Sequence, residues 1–218
     1  KNAFNCVSRA RILEVMESED KLKHLVWHAA LSLCSPNALG TEGKVWGEAQ
    51  EGSTQGDPEA GGYFCLAWHP HIRALDRRLS AAGGAARAGA DDLFIIGPPD
   101  VVFPAMEVFW QEVAETCLLQ VERSKTQVFT QTGELPANSP QEYPRAGIVV
   151  EGEFLPGFLC YGIPVGTPGY VRHQLSVKVQ EVGKEVKEII NVLECEGQAM
   201  WTIARASTAM KLDYHVAL

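Results

Sequence analysis

The chain of 218 residues is 46% apolar and 21% charged, enough to close a real core and too balanced for a disordered chain. Its 27 acidic and 19 basic side chains leave a formal net charge of -8, which speaks against the broad basic face typical of nucleic-acid binding, although a site that collects metal ions is itself acidic. No apolar run approaches the roughly 18 to 20 residues of a bilayer span, no leader precedes a cleavage site, and the six cysteines form no C-x-x-C pair.

These features argue against a zinc site, a disulfide framework and secretion. They predict an intracellular protein, nuclear or cytoplasmic, with all six cysteines packed as small core residues. The opening Lys1-Asn2-Ala3-Phe4-Asn5 has no initiator Met and reads as structured chain, so the sequence is expected to be a fragment with its upstream part missing.

In chain order, Ser8 is placed to cap a helix with Ile12, Leu13, Val15 and Met16 on its buried stripe. Helical spacing of Leu22, Leu25, Val26, Ala29 and Leu33 predicts a second helix stopped by Pro36. Val45 to Ala49 reads as a strand feeding the turn-rich Glu51 to Asp57, and Pro58 suits the first position of a third helix, where its missing N–H would be unpaired anyway. That helix turns Phe64, Trp68, Ile72, Leu75 and Leu79 inward. Gly83, Gly84 and Gly89 punctuate a weak strand, the pair Asp91-Asp92 occupies a tight turn, and Leu93 to Ile96 returns.

Pro104 is expected to begin a helix reaching about Leu119, with Val108, Phe109, Val113 and Cys117 inward. Ser124 to Phe129 reads as a strand, and Thr130 to Gly147, with three prolines, as a linker. A β segment from Ile148 to Pro164 and helices over Tyr170 to Leu193 and Glu196 to Lys211 complete the chain. The reading is an α+β protein with domains 1–147 and 148–218.

Adjacent carboxylates between a Gly-rich approach and an apolar run repel each other and lose hydration, which a divalent cation would relieve. Four landmarks surround and include that pair in fixed order: Lys1-Asn2-Ala3-Phe4-Asn5, then Gly52-Ser53-Thr54-Gln55-Gly56-Asp57-Pro58, then Gly89-Ala90-Asp91-Asp92, then Leu119-Gln120-Val121-Glu122-Arg123-Ser124-Lys125-Thr126. The series resembles the palm of a reverse transcriptase of the non-LTR retrotransposon type, whose pattern is a strand ending in K-A-F-D, a Q-G-D-P turn, an A-D-D hairpin and an L-N-x-x-K-T strand. Leu159-Cys160-Tyr161-Gly162-Ile163-Pro164-Val165-Gly166 is similar to the L-G-x-P-x-G turn where palm passes into thumb. The resemblance covers most of the chain and thins over its last fifty residues or so.

The resemblance implies a right-hand polymerase palm, an antiparallel sheet with helices packed on one face, followed by a small helical thumb. It implies an RNA-directed DNA polymerase acting on an RNA template, a DNA primer and deoxynucleoside triphosphates. Two Mg2+ or Mn2+ ions roughly 3.5 to 4 Å apart would stabilise the attacking and leaving oxygens. By resemblance Asp91 is a metal ligand and Asp92 its close support, Lys125 assists the departing pyrophosphate, Gln55 and Gly56 contact the incoming nucleotide, and the ring of Phe4 excludes a 2′-hydroxyl.

Departures bear on this. The family's other metal-binding aspartate lies five residues before the aromatic, two positions before Lys1, so this chain alone is expected to be inactive. Gly89 stands where the family has an aromatic, and Asn5 replaces a common aspartate. A catalytically inactive remnant or scaffold is the alternative reading; a G-D-D RNA polymerase is disfavoured by Phe4. His24 and His28 read as surface or packing histidines, His69 and His71 as helix-face residues, and Arg73, Arg77 and Arg78 as a solvated face.

Overall fold

The computed structural model describes residues 3–34, 37–41, 44–53, 58–192 and 196–203, with 37–41 and 44–49 as main chain only. The chain is α+β and divides into two compact units, Lys1–Arg123 with Asn138–Pro140, and Ser124–Ala137 with Gln141–Leu218. The sequence puts the change of domain at 147/148, whereas the units change over at 123/124. The expected linker holds buried Tyr143 and Ala146, and it is pinned where Val128 donates to the Pro144 carbonyl and accepts from the Ala146 N–H.

In the first unit, a four-residue helix α1 (Ala3–Cys6) precedes α2 (Arg9–Ser18). Ser8 caps α2 as expected, its hydroxyl accepting from the Arg11 N–H at 3.2 Å, and Ile12, Val15 and Met16 are buried. The predicted second helix is split into a 3-10 turn at Lys23–Leu25 and α3 (Val26–Leu33). Ala29 and Leu33 reach the core, but Leu25, assigned to the buried stripe, is exposed because the tighter turn rotates it out of phase.

Strands β1 (Asn37–Thr41) and β2 (Lys44–Ala49) pair antiparallel, with an irregularity between Leu39 and Gly40. Helix α4 (Ala60–Ser80) starts two residues after Pro58 and carries Pro70 in its interior. Buried Phe64, Trp68, Leu75 and Leu79 supply its inner face, which packs on α2 and on α5 (Pro99–Cys117). Between these helices lies the hairpin of β3 (Ala85–Gly89) and β4 (Asp92–Ile96).

The helix expected to begin at Pro104 begins at Pro99 instead and takes Pro104 into its interior. Its first turns bury Val102 and Phe103, and that apolar burial offsets the roughly 3 kcal/mol of an internal proline. Met106, Phe109, Val113 and Cys117 continue the stripe, while Val108 is exposed and not inward.

In the second unit, a meander of β5 (Gly147–Val150), β6 (Glu153–Cys160) and β7 (Ile163–Gly166) is covered by α6 (Pro168–Val192), with α7 (Gly197–Ile203) following. Its hairpin turns, Glu151-Gly152 and Tyr161-Gly162, have positive φ at both residues, the backbone that suits a twisted two-residue hairpin. The Leu159 to Gly166 segment forms the turn and returning strand of the β6–β7 hairpin. The Ser124–Phe129 strand does not form: a 3-10 turn occupies Arg123–Lys125, and only Val128 bridges, to Arg145. The run has no period-two alternation to give it a buried face.

The described residues thus form three separate antiparallel sheets of two, two and three strands, not one sheet backed by helices. No described helix is long and apolar enough to cross a membrane. Among the described residues the cysteine expectation holds for Cys117: Cys6, Cys34 and Cys65 are exposed, Cys160 is half-buried, none of the five is in a disulfide, and Cys195 lies outside the described residues.

Candidate functional site

The acidic pair sits where its sequence context puts it. Gly89 faces Asp92 as the closing pair of the β3–β4 hairpin, so Ala90 and Asp91 form a two-residue turn. Ala90 has φ +50° and Asp91 is outside the positive-φ set, the order of signs found in a type II′ turn. Glycine is the residue that adopts this first position without strain, and alanine there costs about 1–2 kcal/mol. Both carboxylates are exposed, which corrects the expectation that they lose hydration.

What fixes the hairpin was not singled out from the sequence. The Asp76 carboxylate, near the end of α4, accepts from the Ala86 N–H at 2.9 Å and from the Arg87 guanidinium at 2.8 Å. The Ala86 N–H, followed by Arg87, holds its carboxyl below the ordinary carboxylate range. Gly84, between them, has room only for hydrogen: an added Cβ would stand 2.7 Å from the Ile96 carbonyl oxygen. An acid one turn before a helix end, followed by Gly83-Gly84 and a strand, was the available signal.

Phe4 lies in α1 and not on a strand. Its ring stacks on Phe64 at 4.6 Å between centroids, and its carbonyl accepts the Ser53 N–H at 2.8 Å. The Gly52 N–H donates to the Val7 carbonyl at 2.9 Å, and the Arg9 Nε donates to the Gly52 carbonyl at 2.9 Å. Arg9 is itself buried, so this charge-assisted bond is made away from bulk water. The start of the second landmark is therefore laid directly on the first.

Gln55 and Gly56 lie outside the described residues. Lys125 is exposed in the 3-10 turn of the second unit. Of the histidines, His28 is exposed and bonds Glu59 at 2.8 Å; the Tyr63 hydroxyl, followed by His28, holds that carboxyl low. His71 is an inward residue, its Nε2 2.9 Å from the Thr116 hydroxyl and its Nδ1 3.7 Å from Glu112. Arg78 forks onto Glu112, with Nη2 at 2.5 Å and Nη1 at 3.2 Å, and so is not a free cation of a solvated face.

Asp91 and Asp92 offer adjacent hard oxygen donors of the kind Mg2+ and Mn2+ accept, and their exposure leaves room for water or phosphate oxygens to fill the remaining positions. Among the described residues no group of three or more metal-ligating side chains converges, and the pair by itself supplies two carboxylates. Comparison with protein-family models, curated proteins and solved structures finds no match.

Proposed function

We propose that this chain is the palm, with part of the thumb, of an RNA-directed DNA polymerase of the retroelement type. The observation that carries the reading is the Asp91-Asp92 pair on the tip of a two-residue hairpin whose other turn residue, Ala90, is held at φ +50°. Glu151 and Tyr161 take the same first turn position in the two meander hairpins at φ +51°, so what sets the β3–β4 turn apart is the acidic pair it carries. The bond from Ser53 to Phe4 adds support, since it joins the first two landmarks across 49 positions.

In the proposed reaction a primer 3′-hydroxyl attacks the α-phosphorus of a deoxynucleoside triphosphate, the new P–O bond forms and the bond to pyrophosphate breaks. Divalent cations supply charge stabilisation at the attacking and leaving oxygens when bound. Asp91 holds its part of that shell and Asp92 supports it from the strand end. Gln55 and Gly56 contact the nucleotide, and Lys125 meets the negative charge on the leaving group. The partners are an RNA template and a DNA primer.

One observation favours the second reading, an inactive remnant or scaffold: Phe4 is in a helix with its ring committed to Phe64, where a sugar gate needs an open ring edge. The deciding test is primer extension on an RNA template with Mg2+ or Mn2+. It compares the chain with the same chain joined to an N-terminal strand that places an aspartate five residues before Phe4. The polymerase reading expects extension by the longer protein and a roughly hundredfold or greater loss in Asp91→Ala. Full activity in Asp91→Ala refutes the metal assignment, and no extension by the longer protein leaves the scaffold.

A further inference from the structure

A groove of about 280 Å3 runs between α4 and the outer edge of β3. Cys65, His69 and Arg73 line it from α4 at intervals of four residues, one above another on a single helical face. Trp68 and Ile72 form its apolar back, and Ala86, Ala88 and Ala90 its opposite wall. Small side chains on that wall leave the strand's main chain open to the groove.

The β3 edge is half closed. The Ala86 N–H points away from β4 and is taken by Asp76, and the Ala86 carbonyl is taken by the Arg87 guanidinium at 2.6 Å. N–H directions alternate along an antiparallel strand, so Ala88, two residues on, presents its N–H to the same outer side. No described residue accepts it there.

The charges lining the groove are unbalanced. Asp76 is the one carboxylate lining the groove, and its Oδ1 takes both the Ala86 N–H and the Arg87 guanidinium. Arg87 is held by that pair, but Arg73 makes no ion pair among the described residues. Within a chain of net charge -8, this is a local surplus of positive charge beside an open main-chain donor and an apolar wall. A guanidinium fork and an N–H suit a phosphoryl group, and the groove is several times larger than a bare anion needs.

We propose that this groove is a binding site for an organic phosphate monoester, with the phosphoryl group between Arg73 and the Ala88 N–H and a flat apolar body against Ile72 and the alanine wall. The proposal does not rest on the polymerase reading: neither Asp91 nor Asp92 lines the groove, although their neighbour Ala90 closes its end.

The test is an amide NMR titration of the full chain with adenosine 5′-monophosphate, inorganic phosphate, adenosine and benzoate, each to about 10 mM, a range that detects even weak binding. The nucleotide is expected to shift the Ala88 and Ala90 amides in a saturable way, inorganic phosphate to do so more weakly, and adenosine and benzoate not to do so. Arg73→Ala should weaken binding about tenfold or more and Arg73→Lys by less, since the lysine keeps the charge and loses the fork. Arg73 is exposed and makes no ion pair among the described residues, so both variants should fold, as the unchanged remainder of the spectrum would verify. No saturable shift at Ala88, equal binding by Arg73→Ala, or equal binding of adenosine or benzoate each overturns the proposal.

Discussion

Ser53 and Phe4, 49 positions apart, are joined main chain to main chain: the Ser53 N–H donates to the Phe4 carbonyl at 2.8 Å, and the Ser53 hydroxyl lies 3.4 Å from the same oxygen. That bond needs Gly52, which has φ +81° and passes so close to Asn5 that an added Cβ would stand 2.2 to 2.4 Å from its main-chain atoms. Gly52→Ala therefore meets backbone that cannot yield and a conformation alanine resists. The expected loss is about 3 kcal/mol, from strain and overpacking together. Chemical denaturation measures it, and a change below about 0.5 kcal/mol, the scatter of an ordinary surface substitution, would show that the contact is not made.

One support and one strain act separately on the hairpin. Asp76→Ala removes the acceptor of the Ala86 N–H and one partner of Arg87, so exchange of the Ala86 amide with solvent should quicken roughly tenfold while the α4 interior stays protected. Ala90→Gly acts in the opposite direction: it relieves a positive φ at little steric cost and should raise the melting temperature by a few degrees. If Ala90→Gly lowers it, the turn conformation is wrong. Asp76 holds its carboxyl below the ordinary 3.8, so its contribution is present above that pH and is lost as acid drives the folded group to protonate.

These outcomes bear on how far the sequence reads through to the structure. Ser8 and the Gly89-Ala90-Asp91-Asp92 turn were legible because a cap and a two-residue hairpin are decided within a few residues. The start of α5 was not, because Pro104 is an interior breaker by local rules and the burial of Val102 and Phe103 overrules it. Phe4 reads as strand by analogy, yet its partners are Ser53 and Phe64, and no local pattern encodes either. The role of Asp76 is equally nonlocal, since its acceptor function exists only once β3 lies against α4. Leu25 shows the limit of periodicity, because one 3-10 turn shifts the phase of the face it predicts.

The network between α2, α4 and α5 should make stability fall in two stages on acidification. Burial, helped by the Arg11 guanidinium, depresses His71 below its ordinary 6.5 against the opposing pull of Glu112. The folded state thus binds the proton less readily than the unfolded one, and the contribution is complete above pH 6.5 and lost as pH falls toward the folded value. The Arg78 fork, with lesser help from His71, holds Glu112 below 4.5, so its contribution is lost only at lower pH still. Denaturation midpoints measured from pH 8 to 3 should show both slopes. His71→Gln should flatten the upper one alone, and Glu112→Gln should remove the lower and deepen the depression of His71. A His71→Gln protein with an unchanged upper slope would place that titration elsewhere.

Two adjacent exposed carboxylates with no third ligand among the described residues should hold a divalent cation weakly, through oxygen ligands completed by water. Trace Mn2+, which broadens nearby resonances, is expected to bleach Gly89 to Leu93 first, with an apparent dissociation constant of about 1 mM, the weak end of carboxylate sites. Asp91→Asn should abolish the effect at the tip, and Asp92→Asn should reduce it, because Asp91 occupies the turn while Asp92 begins β4 as the partner of Gly89. Excess Mg2+ should reverse the broadening by competing for the same oxygens, whereas Zn2+ selectivity would imply nitrogen or sulfur donors that the tip does not carry. Bleaching that begins at another acidic cluster, or that survives Asp91→Asn unchanged, would remove the hairpin from any metal-dependent chemistry. The palm reading would then lose its principal support, whatever the order of its sequence landmarks.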